Sequence, residues 1–210
     1  VAEAIQQRHS IRSFRRVPVP EEMILQMLEA ARLAPSASNS QPWRFVVVTE
    51  AAEKKRLRQL CFNQVFIEEA SVIFVACADL SSFSRETYRK RRQEAVDAGA
   101  LPASSLNDPR YLSRIESPVE PDLAMFITSA TANTYIAVEH LVLMATALGL
   151  GSCWVGAISD REAVKTLLGI PRETLLVALV AVGYTRIMPS ARPHLPLKNI
   201  LLRPFPGATG

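Results

Sequence analysis

Pro35-Ser36-Ala37-Ser38-Asn39-Ser40-Gln41-Pro42-Trp43-Arg44 stands between an amphipathic helical pattern and the apolar run Phe45-Val46-Val47-Val48. Its small side chains, hydroxyls and carboxamides cannot build a packed core. Two prolines restrict its backbone, and a large aromatic, Trp43, anchors its exit. Such a loop presents hydrogen-bonding groups from a fixed frame. An ordinary helix-to-strand connection is the plain alternative, because loops carry function often but not always.

Working outward, the residues upstream read as a helix from about Glu21 to Leu33. Met23, Ile24, Met27, Leu28 and Ala31 fall on one face at a 3.6-residue period, which docks the helix on a core and delivers the loop to a defined place. Before it, Val17-Pro18-Val19-Pro20 is extended, and Val1 to Arg8 reads as a short helix. This short helix leads into Arg8-His9-Ser10-Ile11-Arg12-Ser13-Phe14, where two guanidinium groups flank a hydroxyl at a spacing that suits a single phosphate. Downstream, Trp43 to Thr49 is strand-like, and Ala51 to Cys61 is helical with Lys54, Lys55, Arg56 and Arg58 outward as a solvated face. Ser71 to Ala78 is a continuous apolar run of the buried-strand type.

At 210 residues, 49% hydrophobic and 21% charged, the chain reads as one ordinary globular domain over 1–210, with no Gly/Ser-rich linker dividing it. The net charge of +4 allows contact with anions, but the cations are interleaved with 20 acids, so nucleic acid is not expected as a partner. Cys61, Cys77 and Cys153 are widely separated and read as reduced packing thiols, which fits a cytoplasmic protein. With His9, His140 and His194 equally scattered, no zinc-like spacing and no metal is expected. The N-terminal residues are too polar for a signal-peptide core.

From Asp79 to Pro121 the apolar period fades, with a charged run Arg85-Glu86-Thr87-Tyr88-Arg89-Lys90-Arg91-Arg92 followed by Pro102, Pro109, Pro118 and Pro121. Residues 81–121 read as a surface insertion or lid. Leu123 to Leu148 is apolar nearly all round and reads as a buried or interface helix, since Asn133, Glu139 and His140 interrupt any membrane span. Glu139 and His140 are adjacent on that helix and point about 100° apart, so no acid/base role is assigned to them. Gly149-Leu150-Gly151 has tryptophan where a dinucleotide fingerprint needs its third glycine, and it follows a helix rather than a strand. Cys153 to Ala157 reads instead as a short strand ending at Gly156, where a planar ligand can approach the backbone. A short helix over Asp160 to Leu168, a buried strand over Leu175 to Gly183 and an extended, proline-rich arm over 186–210 complete the chain.

Five motifs, in order and in spacing, resemble the FMN-dependent nitroreductase family. They are Arg8-x-Ser10-x-Arg12, the Ser38-Asn39-Ser40-Gln41-Pro42-Trp43 loop, the long apolar helix ending in Ala147-Leu148-Gly149-Leu150-Gly151, the Trp154-Val155-Gly156 strand, and the basic arm. The resemblance implies an α+β sandwich, with a mostly antiparallel sheet flanked by helices. It also implies an intertwined homodimer with FMN at the subunit interface. Carried over by motif, Arg8, His9, Ser10 and Arg12 hold the FMN phosphate and ribityl chain, joined by Arg192. His194 stands where relatives often carry a second arginine. Ser36, Ala37, Ser38 and Asn39 approach the flavin from the partner subunit, Gln41 and Asn63 bond ring or ribityl oxygens, and Trp154, Val155, Gly156 and Ala157 line the isoalloxazine. Phe83, Tyr88 and Arg89 of the lid contact the acceptor. The chain offers no nucleophile with a base and no carboxylate pair, so hydride from NADH or NADPH would pass through the flavin to a nitroaromatic or quinone, with no catalytic side chain in the strict sense. Reductive dehalogenation, another flavin reaction, or a flavin-binding module without turnover are the other readings.

Overall fold

A computed structural model describes residues 1–117, 122–203 and 205; Pro118 and Pro121 of the expected lid, and positions 204 and 206–210 of the arm, lie outside the described residues. Four strands, β1 (Trp43–Val48), β2 (Val72–Asp79), β3 (Gly151–Val155) and β4 (Thr174–Gly183), form one sheet in the order β1-β2-β4-β3, every pair antiparallel. The alternation of side chains across the pleat divides the core into two layers. On one face Ile73, Val75 and Cys77 of β2 and Leu179 and Ala181 of β4 pack with Leu57, Ile67 and Val164, which belong to the helices α3 (Ala51–Gln59), α4 (Val65–Glu69) and α8 (Arg161–Leu167). On the other face Val72, Phe74, Ala76, Val180 and Val182 pack with Met27 and Ala31 of α2 (Glu21–Arg32) and with Ala137, Leu141 and Ala145 of α7 (Leu123–Ala147). The sandwich is therefore α+β, as the motif resemblance implies. Helix α1 (Ala2–Gln7) rests on α7.

The free edge of β3 receives the N-terminal motif. Ser10 bridges Ser152 in parallel, and the Ile11 amide donates to the Ser152 carbonyl at 2.8 Å. Gly151 is what permits the approach, because a Cβ there would overlap Thr185 Oγ1 and come within 2.7 Å of Ile11 Cγ1. Further along, Phe14 bridges Thr185, and Ser13 accepts from Arg186 through both its carbonyl and its hydroxyl. Sheet pairing thus fixes the segment before Arg15 and the root of the C-terminal arm side by side.

Two expectations from the sequence change, one at Lys54 and one in the lid region. Lys54, expected outward on α3, is only 9% exposed, and its Nζ donates to the carbonyls of Ala70 at 2.7 Å and Ser71 at 3.3 Å. These carbonyls follow α4, where a helix end leaves acceptors without helical partners, so the cation is satisfied by backbone that sequence periodicity cannot locate. Burial pushes the Lys54 amine below its ordinary range, with Glu50 opposing. For α7 the sequence leaves a buried helix and an interface helix open. Leu141, Val142 and Ala145 are buried, but Leu123, Met125, Ile127, Tyr135 and Ile136 are exposed, so a helix apolar all round leaves one apolar face uncovered by its own chain. The lid region carries more regular structure than its weak periodicity implies: α5 (Arg85–Asp97) and α6 (Pro109–Glu116). The Tyr111 ring lies 5.6 Å from Tyr88 and 4.4 Å from the Arg92 guanidinium, so aromatic and cation–π contacts join the two helices.

Candidate functional site

The N-terminal motif and the arm converge. Arg8, His9, Ser10 and Arg12 line a cavity of about 710 Å³ with Arg192 and His194 from the arm and Glu139 and Leu143 from α7. None of Arg8, Arg12 or Arg192 makes an ion pair with a described residue. Three uncompensated guanidinium forks on one cavity are a donor set for an anion with several oxygens. His9 Nδ1 lies 2.7 Å from the Gln7 carbonyl, which can only accept, so Nδ1 holds the proton and Nε2 is the ring's free nitrogen. Beneath the motif sits Cys153, whose thiol burial pushes up, with Arg12 and then Arg8 pulling the other way.

The Pro35 loop is strained, and a buried amide holds it in place. Ser38, Asn39 and Gln41 all have positive φ, at 53°, 54° and 48°, a region that asparagine tolerates and serine and glutamine adopt at a cost. The Ser36 hydroxyl accepts from the Gln41 amide at 3.0 Å. Asn133 of α7 accepts from the Ala37 amide at 2.8 Å and anchors its own side chain on the Ser129 carbonyl at 2.7 Å. At the exit Arg44 donates to the Gln41 carbonyl and pairs with Asp79 at 2.8 Å. The sequence reading treats Asn133 only as a polar break in α7; a carboxamide in an otherwise apolar helix is the signal that it has a partner to satisfy.

This loop does not meet the arginine cavity within the chain. Ala37 and Ser38 line a second cavity of about 440 Å³, walled by Phe83, Tyr88, Ile115, Met125 and Phe126 and dotted with the hydroxyls of Ser82, Ser113 and Ser129. Phe83 and Phe126 face each other with ring centroids 5.9 Å apart. The third lid candidate, Arg89, is not in this cavity; it lies with Lys90 and Gln93 on a separate shallow depression. Asn63 sits in a turn pinned to the end of β3. Ser159 donates to Leu60 through amide and hydroxyl, and Gln64 Nε2 donates to the Ala157 carbonyl at 3.3 Å. Phe62 and Asn63 both have positive φ there, and Phe62 is 65% exposed. Trp154 is half-buried with its ring 5.5 Å from Tyr135, the Val155 side chain is buried, and Gly156 and Ala157 are exposed. A Cβ on Gly156 would meet nothing within 4 Å, so the backbone there faces open space. Among the described residues no His, Cys, Asp and Glu group has a metal-binding arrangement, and no helix is long and apolar enough to cross a membrane.

An α+β sandwich with an arginine-lined cavity at the edge of its sheet and an aromatic cavity under a two-helix cover is thus the class of structure at hand. The Nitroreductase family matches residues 5–184, and the chain belongs to that family. It is 35% identical over 195 residues to a protein of Thermus thermophilus named NADH dehydrogenase, covering 93% of this chain and 91% of the relative. It is 30% identical over 197 residues to a protein of Rhodospirillum rubrum named 5,6-dimethylbenzimidazole synthase, covering 86% of this chain and 80% of the relative. Among solved structures it is similar to an Exiguobacterium sibiricum protein named as a nitroreductase in complex with FMN, with a TM-score of 0.82, 25% identity, and 95% of each chain covered.

Proposed function

We propose that this chain is an FMN-dependent oxidoreductase that takes hydride from NADH or NADPH and passes it to a nitroaromatic, quinone or similar acceptor in alternating half-reactions. The observation that carries the reading is the cavity with three unpaired guanidinium groups, Arg8, Arg12 and Arg192, which suits the phosphate of FMN. When bound, FMN would supply the two-electron chemistry that no side chain here can perform. The protein's part is to hold the phosphate at the arginines, present backbone at Gly156 and Ala157 to the planar ring, and exclude water with the lid of residues 81–121.

The reading includes a homodimer. Met125, Ser129, Ala132, Ile136, Glu139 and Leu143 fall at alternating steps of four and three along α7, so they form one stripe. Its first two members line the lid cavity, its last two line the arginine cavity, and Ala132 and Ile136 between them are exposed. Ser129 and Glu139 are about 15 Å apart along the axis. A twofold axis through the middle of the stripe covers its apolar face and lays the lid cavity of one chain over the arginine cavity of the other. In that arrangement the Ser36–Gln41 loop reaches the flavin held by the partner chain. A second reading, a flavin reaction other than acceptor reduction, is favoured by the 5,6-dimethylbenzimidazole synthase name of the Rhodospirillum rubrum relative. The test is to purify the protein, titrate it with FMN and follow aerobic oxidation of NADH and NADPH with and without a quinone or nitroaromatic. A yellow dimer that oxidises the donor faster with acceptor is the expected result. A protein that takes up no FMN defeats the reading, and one that binds FMN without turnover is a flavin-binding module.

A further inference from the structure

Among the described residues that line the arginine cavity Glu139 is the only carboxylate, and it pairs with none of the three guanidinium groups there or with any other described residue. A carboxylate in a phosphate site is unfavourable on charge alone, since it repels the dianion that the arginines attract. It is also half-buried, on a helix wall whose next turn contributes the apolar Leu143, so it is not a freely solvated surface acid. A carboxylate only accepts hydrogen bonds, and the ligand groups it suits are donors. The cavity is of a size that takes a whole small molecule rather than one phosphate group. The ligand that suits both halves of the lining carries a phosphate monoester at one end and hydroxyl donors along the adjoining chain.

We propose that Glu139 is a binding and specificity residue that accepts hydrogen bonds from the hydroxyls of a polyol phosphate whose phosphate lies on Arg8, Arg12 and Arg192. The inference rests on the FMN reading, in which that polyol is the ribityl chain. Glu139 then makes the cavity select a phosphorylated polyol over a bare anion, because the same carboxylate that favours the hydroxyls disfavours free phosphate.

The experiment measures FMN affinity by flavin fluorescence quenching and, separately, the strength with which inorganic phosphate competes, on the full chain and on Glu139→Ala and Glu139→Gln. Thermal melts check that each variant is folded. If Glu139 only adds charge, its removal tightens FMN and phosphate together. As an acceptor, its loss gives the opposite sign for FMN: affinity falls about tenfold or more in Glu139→Ala, the scale of a hydrogen bond to a charged group. It falls less in Glu139→Gln, whose amide oxygen still accepts, while phosphate competes as well as before or better in both. FMN affinity that is unchanged or tighter in Glu139→Ala overturns the proposal, as does an equal loss for FMN and phosphate. A wild-type chain that binds no FMN at all overturns instead the reading on which the inference rests.

Discussion

The two cavities are built by different means. The arginine cavity stands on segments that the sheet itself fixes: Ser10 is bridged to Ser152, Phe14 to Thr185, and the arm's root to Ser13. Its lining carries the guanidinium groups of Arg8, Arg12 and Arg192. The lid cavity stands on helices joined by side chains, through the Phe83–Phe126 and Tyr88–Tyr111 ring pairs and the Arg92–Tyr111 contact, and its lining is aromatic with scattered hydroxyls. Backbone pairing depends on side chains only at close approaches such as Gly151, whereas side-chain contacts change with every substitution. On the proposed function, the difference predicts that cofactor retention and acceptor choice are separable, the first belonging to the sheet edge and the second to the helical cover.

The largest effect that would break this division is on the charged side. Replacing Arg8 or Arg192 with Ala is expected to weaken FMN binding by about 1.5 to 3 kcal/mol each, the scale of a charge-assisted hydrogen bond. The relative rates of the enzyme with different acceptors should stay the same once flavin is saturating. FMN titration and acceptor kinetics on both variants check this, and unchanged affinity in both would place the phosphate elsewhere.

Next in size is the complementary change. Phe83→Ala removes one ring of the lid's aromatic pair and is expected to alter the ranking of acceptors, with kcat/KM shifting roughly tenfold for the most affected. FMN affinity should be unaltered. A uniform drop for every acceptor, or loss of flavin, would show that the lid supports the fold rather than selecting a substrate.

The smallest effect tests the sheet beneath both cavities. Burial pushes the Cys61 and Cys77 thiols up to about 11, against an ordinary 9.0. Folded thiols that hold their protons longer than unfolded ones contribute stability that is present below pH 9 and lost as pH rises through about 11. By pH 10 each costs about 1 kcal/mol. Lys54 works the other way, because its lowered pKa makes stability rise toward pH 10.5. Denaturant midpoints between pH 8 and 11 should fall with pH in the parent chain and fall less steeply in Cys77→Ala. An identical slope in the two would mean that Cys77 ionises as freely folded as unfolded.

Much of this was legible in the chain itself, for a local reason. Val72–Asp79 shows its burial as a continuous apolar run and the helix Glu21–Arg32 as a 3.6-residue period, patterns that any ten-residue window displays. The arginine motif and the polar loop announced themselves by residue types that a core cannot use. Other features were decided only by the tertiary structure, because they depend on which distant segments meet. Lys54 turned inward because the end of α4 left carbonyls beside it. Asn133 acquired a role because the Ala37 amide came within reach, and Glu139 joined the arginine cavity because the folded chain carried α7 past it. Arg89 parted from Phe83 and Tyr88 because neighbours in sequence occupy different sides of α5. The sequence by itself determined the elements and the chemistry of the pieces; the packing of the sheet and α7 decided their division between two cavities, since that is set by contacts between residues far apart in the chain.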